Sequence, residues 1–231
     1  MNTPAAKREL RDFRSPRVIR AQSNVVRLWH AREGRIRTWQ DARRRIPTAR
    51  GRLRELASSI ARINSYQWHE EDKARATGVR DGVIARIKRN IDASNQRRVD
   101  EIERLDSCLE TSLKELGLLG DPRLPLSSET PGSIADRISI LILKIYHMSE
   151  QRRRKDATAA QRRRFSGKVR ILKEQLADLS SCLDALMEDI LGKSRRFKTY
   201  FQLKMYNDPE TNPYMRTARR GQGSRKPTAH R

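Results

Sequence analysis

Large apolar residues recur along the chain at steps of three and four. From Phe165 they fall at Val169, Leu172, Leu176, Leu179, Leu183, Leu186 and Ile190, with Gly192 next, which is one face of a helix followed by a residue suited to end it. The same period runs through Val83, Ile84, Ile87, Ile91, Ile102, Leu105, Leu109, Leu113 and Leu116 up to Gly117; as one helix it would be roughly 50 Å long. Leu53, Leu56, Ile60 and Ile63 write a third helix, continuing toward Ala74 with Gly78 as its break. A fourth starts at Thr130, an N-cap followed by Pro131 at the first helical position, and passes through Ile134, Ile138, Leu141, Ile145 and Met148. An earlier helix is predicted between Pro16 and Ile46, where Val18, Val25, Trp29, Ile36 and Trp39 share a face despite Gly34. No segment sustains the alternation of a strand. The predicted fold class is all-α: an elongated antiparallel bundle of four long helices, joined in the middle by the 13 residues Gly117 to Glu129, plus an additional N-terminal helix.

Composition adds bounds to this pattern. Hydrophobic residues make up 36% and charged residues 34% of the 231, enough apolar material for a core and too much for wholesale disorder. The longest apolar stretch, Ile138 to Ile145, contains Ser139 and Lys144 and falls far short of the roughly 20 residues of a membrane span. Met1 to Arg20 holds no apolar run of signal-peptide type, and Cys108 and Cys182 suggest neither a disulfide scaffold nor a zinc site. A soluble protein of the reducing cytoplasm is expected.

The net charge of +23 is unevenly placed. Residues 1–62 carry 17 Lys and Arg against 5 Asp and Glu, and residues 191–231 carry 11 against 2, while 63–190 hold 23 against 21. The expected organisation is a basic N-terminal extension with a helix (1–50), a helical-bundle domain (51–213) and a basic disordered tail (214–231). Phe197, Tyr200, Phe201, Met205 and Tyr206 are too apolar for a solvated tail and are expected to dock back on the bundle.

The informative anomaly is polar residues where core is due. Asn64, Gln67 and Glu71 continue the stripe of Ile60; Asn95 and Arg98 separate Ile91 from Ile102; Asp136, Arg137, Lys144 and His147 interrupt the fourth helix. Burying such groups costs free energy unless they are paired, so the layer either fixes helix register or lines a cavity for a polar ligand. In the second case His69, Glu71, Asp72 and His147 are the candidate catalytic groups, and Asn95, Arg98, Asp136, Arg137 and Lys144 the candidate ligand-binding groups. His69-x-x-Asp72 and His147-x-x-Glu150 each offer two metal ligands one helical turn apart. Tyr66 and Lys144 stand where ferritin-like Glu-x-x-His pairs need Glu, and Lys73 stands where a zincin needs its second His. A metal is allowed by these pairs but not favoured, no ligand is assigned, and the cofactor is left unknown. No glycine-rich phosphate loop and no serine or cysteine nucleophile emerges, so enzyme status is left open.

At these motifs the chain resembles the bacterial domain-of-unknown-function family numbered 4254. The carrying segments are Trp68 to Arg75, Lys88 to Asp106, Ser128 to Leu141 continuing through Lys144 to Met148, Cys182 to Asp184, and Phe197 to Pro209. The resemblance implies a cytoplasmic bacterial helical protein; it carries no catalytic residues over.

Three functions compete. The polar layer would bind or process an anionic metabolite such as a phosphorylated sugar or nucleotide, with Arg and Lys on its phosphate and a histidine as acid or base. Alternatively the basic ends bind nucleic acid or another polyanion through Arg43, Arg44, Arg45, Arg219, Arg220 and Arg225, with Arg152 to Arg154 and Arg162 to Arg164 as further runs. The third is a non-enzymatic scaffold or accessory protein, its helix bearing Trp29 and Trp39 docking on a protein partner or a second copy.

Overall fold

The computed structural model describes residues 3–202 and 210–215. Within residues 3–199 the helices are, in order, α1 (Thr3–Asp12), α2 (Ser15–Arg32), α3 (Trp39–Arg45), α4 (Arg52–Ala74), α5 (Asp81–Glu115), α6 (Pro131–Arg153) and α7 (Ala159–Leu191), with a 3-10 turn at Glu33–Arg35. No strand occurs among the described residues; one isolated bridge joins Leu126 to Arg196. The fold is all-α, and α4 to α7 are the four long helices that the apolar period predicts. The chain divides into a compact unit Met1–Thr199 and a second unit Tyr200–Arg231. Most of the expected basic tail, Arg219, Arg220 and Arg225 included, lies outside the described residues, as do Met205 and Tyr206.

The region before residue 50 shares the core of the bundle. Leu10, Phe13, Val18 and Val26 belong to the same buried cluster as Ile60, Leu109, Ile138, Leu183 and Met187. Helix α2 packs on α4, α6 and α7. Its buried Gln22 donates from Nε2 to the carbonyls of Ala57 on α4 and Ala135 on α6. Its first turn is held by α7, where the Asp184 carboxylate accepts from the Ser15 backbone N–H and hydroxyl at 2.7 and 2.6 Å. Trp29 is 1% exposed, so its indole is core and not a free docking surface. The single helix predicted over Pro16 to Ile46 is two helices. Arg32 ends α2, Ile36 is extended, and Thr38 restarts the chain with a capping box to Asp41, the arrangement that satisfies orphan N–H groups at a helix start.

The expected start at Thr130 is where α6 begins, with a reciprocal Thr130–Ser133 box and Pro131 in the first turn. Asp106 of α5 reaches this end: its carboxylate accepts from the Thr130 hydroxyl at 2.5 Å and the Gly132 N–H at 2.7 Å. A Cβ on Gly132 would stand 2.7 Å from Asp106 Oδ1, so only glycine allows this approach. The segment after α7 closes on the Gly117 to Glu129 connection through Arg196 N–H to Pro125 O and Ser127 N–H to Arg196 O. Phe197 is buried there, as its apolar character predicts, whereas Tyr200 and Phe201 are about two-thirds exposed.

Candidate functional site

The predicted polar layer divides into separate groups. Asp136 is buried and has Asn64 Nδ2 on one oxygen at 2.8 Å and Arg98 Nε 3.5 Å from the other. Asn64 also donates to Ser139 Oγ. Burial pushes the Asp136 carboxyl upward, against the pull of Arg98 and Asn64. Asn95 accepts from Gln67. A cleft of about 360 Å³ lies against these groups, with Asn64, Glu71, Asp72, Arg75 and Arg98 among its lining. Its two arginines are already engaged, Arg75 with Glu71 at 2.9 Å and Arg98 with Asp136.

Arg137 and Lys144, expected in this layer, are exposed. Arg137 pairs outward with Glu129. Successive helical residues diverge by about 100°, so Arg137 cannot follow Asp136 into the interior.

His69 and His147 take part in a different assembly. They meet His30 of α2, and one ring nitrogen from each of the three lies within 4.8 Å of the other two. The protein has four histidines, and three of them converge here. The Nδ1 atoms face acceptors: His30 lies 2.7 Å from Val26 O, His69 3.2 Å from Glu33 Oε1, and His147 3.3 Å from Glu150 Oε2. A carbonyl or an ionised carboxylate can only accept, so each Nδ1 carries a proton, and in the neutral form of a ring Nε2 is then the acceptor. All three Nε2 atoms are buried and have no hydrogen-bond partner. Burial, reinforced by His30 and His147, drives the His69 pKa down to about 3. Burial and His30 lower that of His147 as well, against the opposing charges of Glu150 and Asp72. These two rings are therefore neutral at neutral pH.

Aromatic rings fix the three imidazoles in a cyclic exchange. Trp29 of α2 stacks on His69 of α4 at 5.5 Å between ring centroids, and Trp68 of α4 stacks on His147 of α6 at 4.9 Å, both with planes 6° apart. Tyr146 of α6 completes the ring by stacking on His30 of α2 at 3.9 Å. Each helix thus gives a histidine and backs the histidine of the next.

The sequence carries a signal for this assembly that the pairwise spacing of His69 and His147 does not exhaust. An aromatic residue, a histidine, two residues and an acid occur three times: Trp29-His30-x-x-Glu33, Trp68-His69-x-x-Asp72 and Tyr146-His147-x-x-Glu150. His30 lies outside the predicted polar layer, because its helix reads as part of a basic extension.

Fold and site together define the class: an all-helical protein in which three mutually packed helices enclose a cluster of three histidines. Residues 54–199 match the family described as "Protein of unknown function (DUF4254)", and the chain belongs to that family. His69 and His147 lie within the matched residues and His30 before them. No curated protein and no solved structure matches the chain. Among the described residues no helix is long and apolar enough to cross a membrane.

Proposed function

We propose that this protein is a metalloprotein that binds one divalent transition metal ion through Nε2 of His30, His69 and His147. The observation that carries the reading is the set of three buried and unpartnered Nε2 atoms, each on a ring whose Nδ1 faces an oxygen acceptor. Unpaired buried polar atoms are costly, and three lone pairs on neighbouring rings call for a shared electron-pair acceptor. Metal-bound histidines ordinarily donate their other nitrogen to a carboxylate or carbonyl, which orients the ring and raises its basicity. Glu33, Glu150 and the Val26 carbonyl supply that role here.

Bond lengths of 2.0–2.1 Å require nitrogens on the order of 3.4 Å apart in a tetrahedral site. The cluster therefore closes by about 1 Å or less per ring when loaded. Three imidazoles suit zinc, copper, iron or nickel, and three protein ligands leave a coordination position for water or a substrate. That is the pattern of metal centres that do chemistry. The anionic-metabolite reading has less support, because the cleft beside Asn64 pairs its arginines with carboxylates of the same chain.

The test is elemental analysis and calorimetric titration of purified protein with Zn²⁺, Co²⁺ and Ni²⁺. The expected result is one ion per chain, with Co²⁺ giving the visible absorption of a nitrogen-ligated site, and loss of both in His30→Ala, His69→Ala and His147→Ala. Absence of stoichiometric binding by the folded wild-type chain, or binding that survives all three changes, overturns the proposal.

A further inference from the structure

The near-neutral balance of residues 63–190 hides a separation of charge that only the fold makes visible. Residues 151–173 form the tip of the α6–α7 hairpin: the last turn of α6, the connection, and the first fifteen residues of α7. They hold ten Lys and Arg against one Asp, whereas the rest of 63–190 holds thirteen against twenty. Within residues 63–190 the cations are thus concentrated at the hairpin tip. All ten cations are exposed. Among the described residues the one ion pair within the tip is Arg154 with Asp156.

This arrangement opposes the ordinary stability of a helix. Helix α7 has no acidic residue in its first turn, where the macrodipole favours negative charge and disfavours positive charge. Arg162, Arg163 and Arg164 follow at once. At 100° per residue, Arg162, Arg163, Arg170 and Lys173 fall within one sector of about 100°, spread over roughly 16 Å of the axis. Arg162 and Arg163, and likewise Arg170 and Lys173, lie within one Debye length of each other at physiological salt, so the members of each pair repel one another unless an anion lies along them.

We propose that the α6–α7 hairpin tip docks on the phosphate backbone of duplex nucleic acid, gripping it without reading its bases. Seven of the ten cations are arginine, whose planar fork pairs with phosphate through two parallel hydrogen bonds. Phe165, the one aromatic residue of the tip, is half-buried under the Arg164 guanidinium at 5.3 Å, so no ring is presented for base stacking. An anionic membrane is the weaker partner: Ile171 is the one large apolar side chain exposed on the tip, and surface-bound helices bury a whole apolar face. Two of the arginine runs that the sequence sets beside the basic ends, Arg152 to Arg154 and Arg162 to Arg164, are brought by the fold onto this one tip, apart from the ends themselves. It is also independent of metal at the histidine cluster.

The experiment is fluorescence-anisotropy titration of the full chain with a labelled 24-base-pair duplex of arbitrary sequence between 50 and 200 mM salt. Engagement of four to five phosphates gives a log–log slope near −4, a loss of roughly 200-fold in affinity over that range, and equal binding of a scrambled duplex. Arg162→Gln, Arg163→Gln, Arg170→Gln and Lys173→Gln combined should flatten the slope by about 3, with a melting temperature no lower than wild type because repulsion is relieved. Arg219→Gln, Arg220→Gln and Arg225→Gln, or Arg43→Gln with Arg44→Gln, should leave most of the slope in place. Three results overturn the proposal: no salt-dependent duplex binding; a slope unmoved by the hairpin variant while a terminal variant removes it; or binding to phosphatidylserine vesicles with none to the duplex.

Discussion

The two ends of α6 treat buried polar atoms in opposite ways. At its start, Asp106, Thr130, Gly132 and Ser133 close on one another, and a few residues on Asp136 is met by Asn64 and Arg98. At its far end, His147 joins His30 and His69 with three Nε2 atoms left open. Both regions lie in the same bundle and both interrupt an apolar stripe, so polarity in a core position does not by itself mark a site. What separates them is that Asp106 and Asp136 are met by donors and by an opposite charge, although Arg98 Nε reaches Asp136 only as an ion pair at 3.5 Å, whereas the histidines bring three unpartnered acceptors to one place. A paired network specifies how helices pack, whereas the three converging imidazoles are the basis of the metal site proposed above.

The comparison breaks most sharply at Asp106. Burial raises its carboxyl to about 7, partly offset by the hydrogen bonds from Thr130 and Gly132. The folded value lies above the ordinary 3.8, so the native state holds a proton that the unfolded chain has released. This contribution is full below pH 4 and is lost as pH rises toward 7, on the order of 4 kcal/mol. Urea unfolding of wild type and Asp106→Asn from pH 4 to 8 should show the difference between them changing in that sense. A difference that stays flat with pH would show the carboxylate ionised throughout.

The closed network further along α6 comes next. Asp136→Ala leaves Arg98 without its carboxylate and Asn64 without one acceptor, an expected loss of about 2–3 kcal/mol. The open end should respond in the reverse sense: in metal-free protein His147→Phe keeps a ring against Trp68 while removing the unpartnered Nε2, and the cost stays below that of Asp136→Ala. Equal losses in chemical denaturation would erase the distinction between the two ends.

Much of the fold was legible because it rests on apolar period and capping. The four long helices, the Thr130 start and the Gly192 stop follow from local chemistry. The break after Arg32 was not legible, since Trp39 continues the apolar face of α2 while Thr38 and Asp41 restart the chain. The candidate site was half legible. His69 and His147 stood out as polar intrusions, but Arg137 and Lys144 did so equally, and period alone cannot say which of two adjacent residues turns inward. His30 was hidden because convergence of three helices is a tertiary fact, visible in sequence only as the thrice-used aromatic-His-x-x-acid spacing.

Metal itself should sharpen the contrast by completing the open end. An ion that binds only the folded chain, supplied at 100 times its Kd, stabilises it by about 2.7 kcal/mol. For a chain of this size that is roughly 5–10 °C in melting temperature, and EDTA should reverse it. Asp136→Ala should keep the increment although its baseline is lower, whereas His147→Ala should abolish it. A metal-dependent rise in the His147 variant would place the ion elsewhere.

The smallest effect concerns the carboxylates that face the histidines from outside. Glu150→Gln and Glu33→Gln keep a carbonyl oxygen in reach of Nδ1 but remove the charge, so the rings stay oriented while their basicity falls. Loss of such outer partners typically weakens metal binding 10- to 100-fold, and the conservative amide places these variants at the lower limit, about tenfold or 1.4 kcal/mol. Glu33 is about half exposed and Glu150 less so; solvent screens the more exposed charge, so the loss should be greater for Glu150→Gln than for Glu33→Gln. Competition titration against a chromophoric chelator resolves differences of this size. If neither change moves the affinity while His147→Ala removes it, the carboxylates orient nothing, and the aromatic stacking of Trp29, Trp68 and Tyr146 alone holds the imidazoles in place.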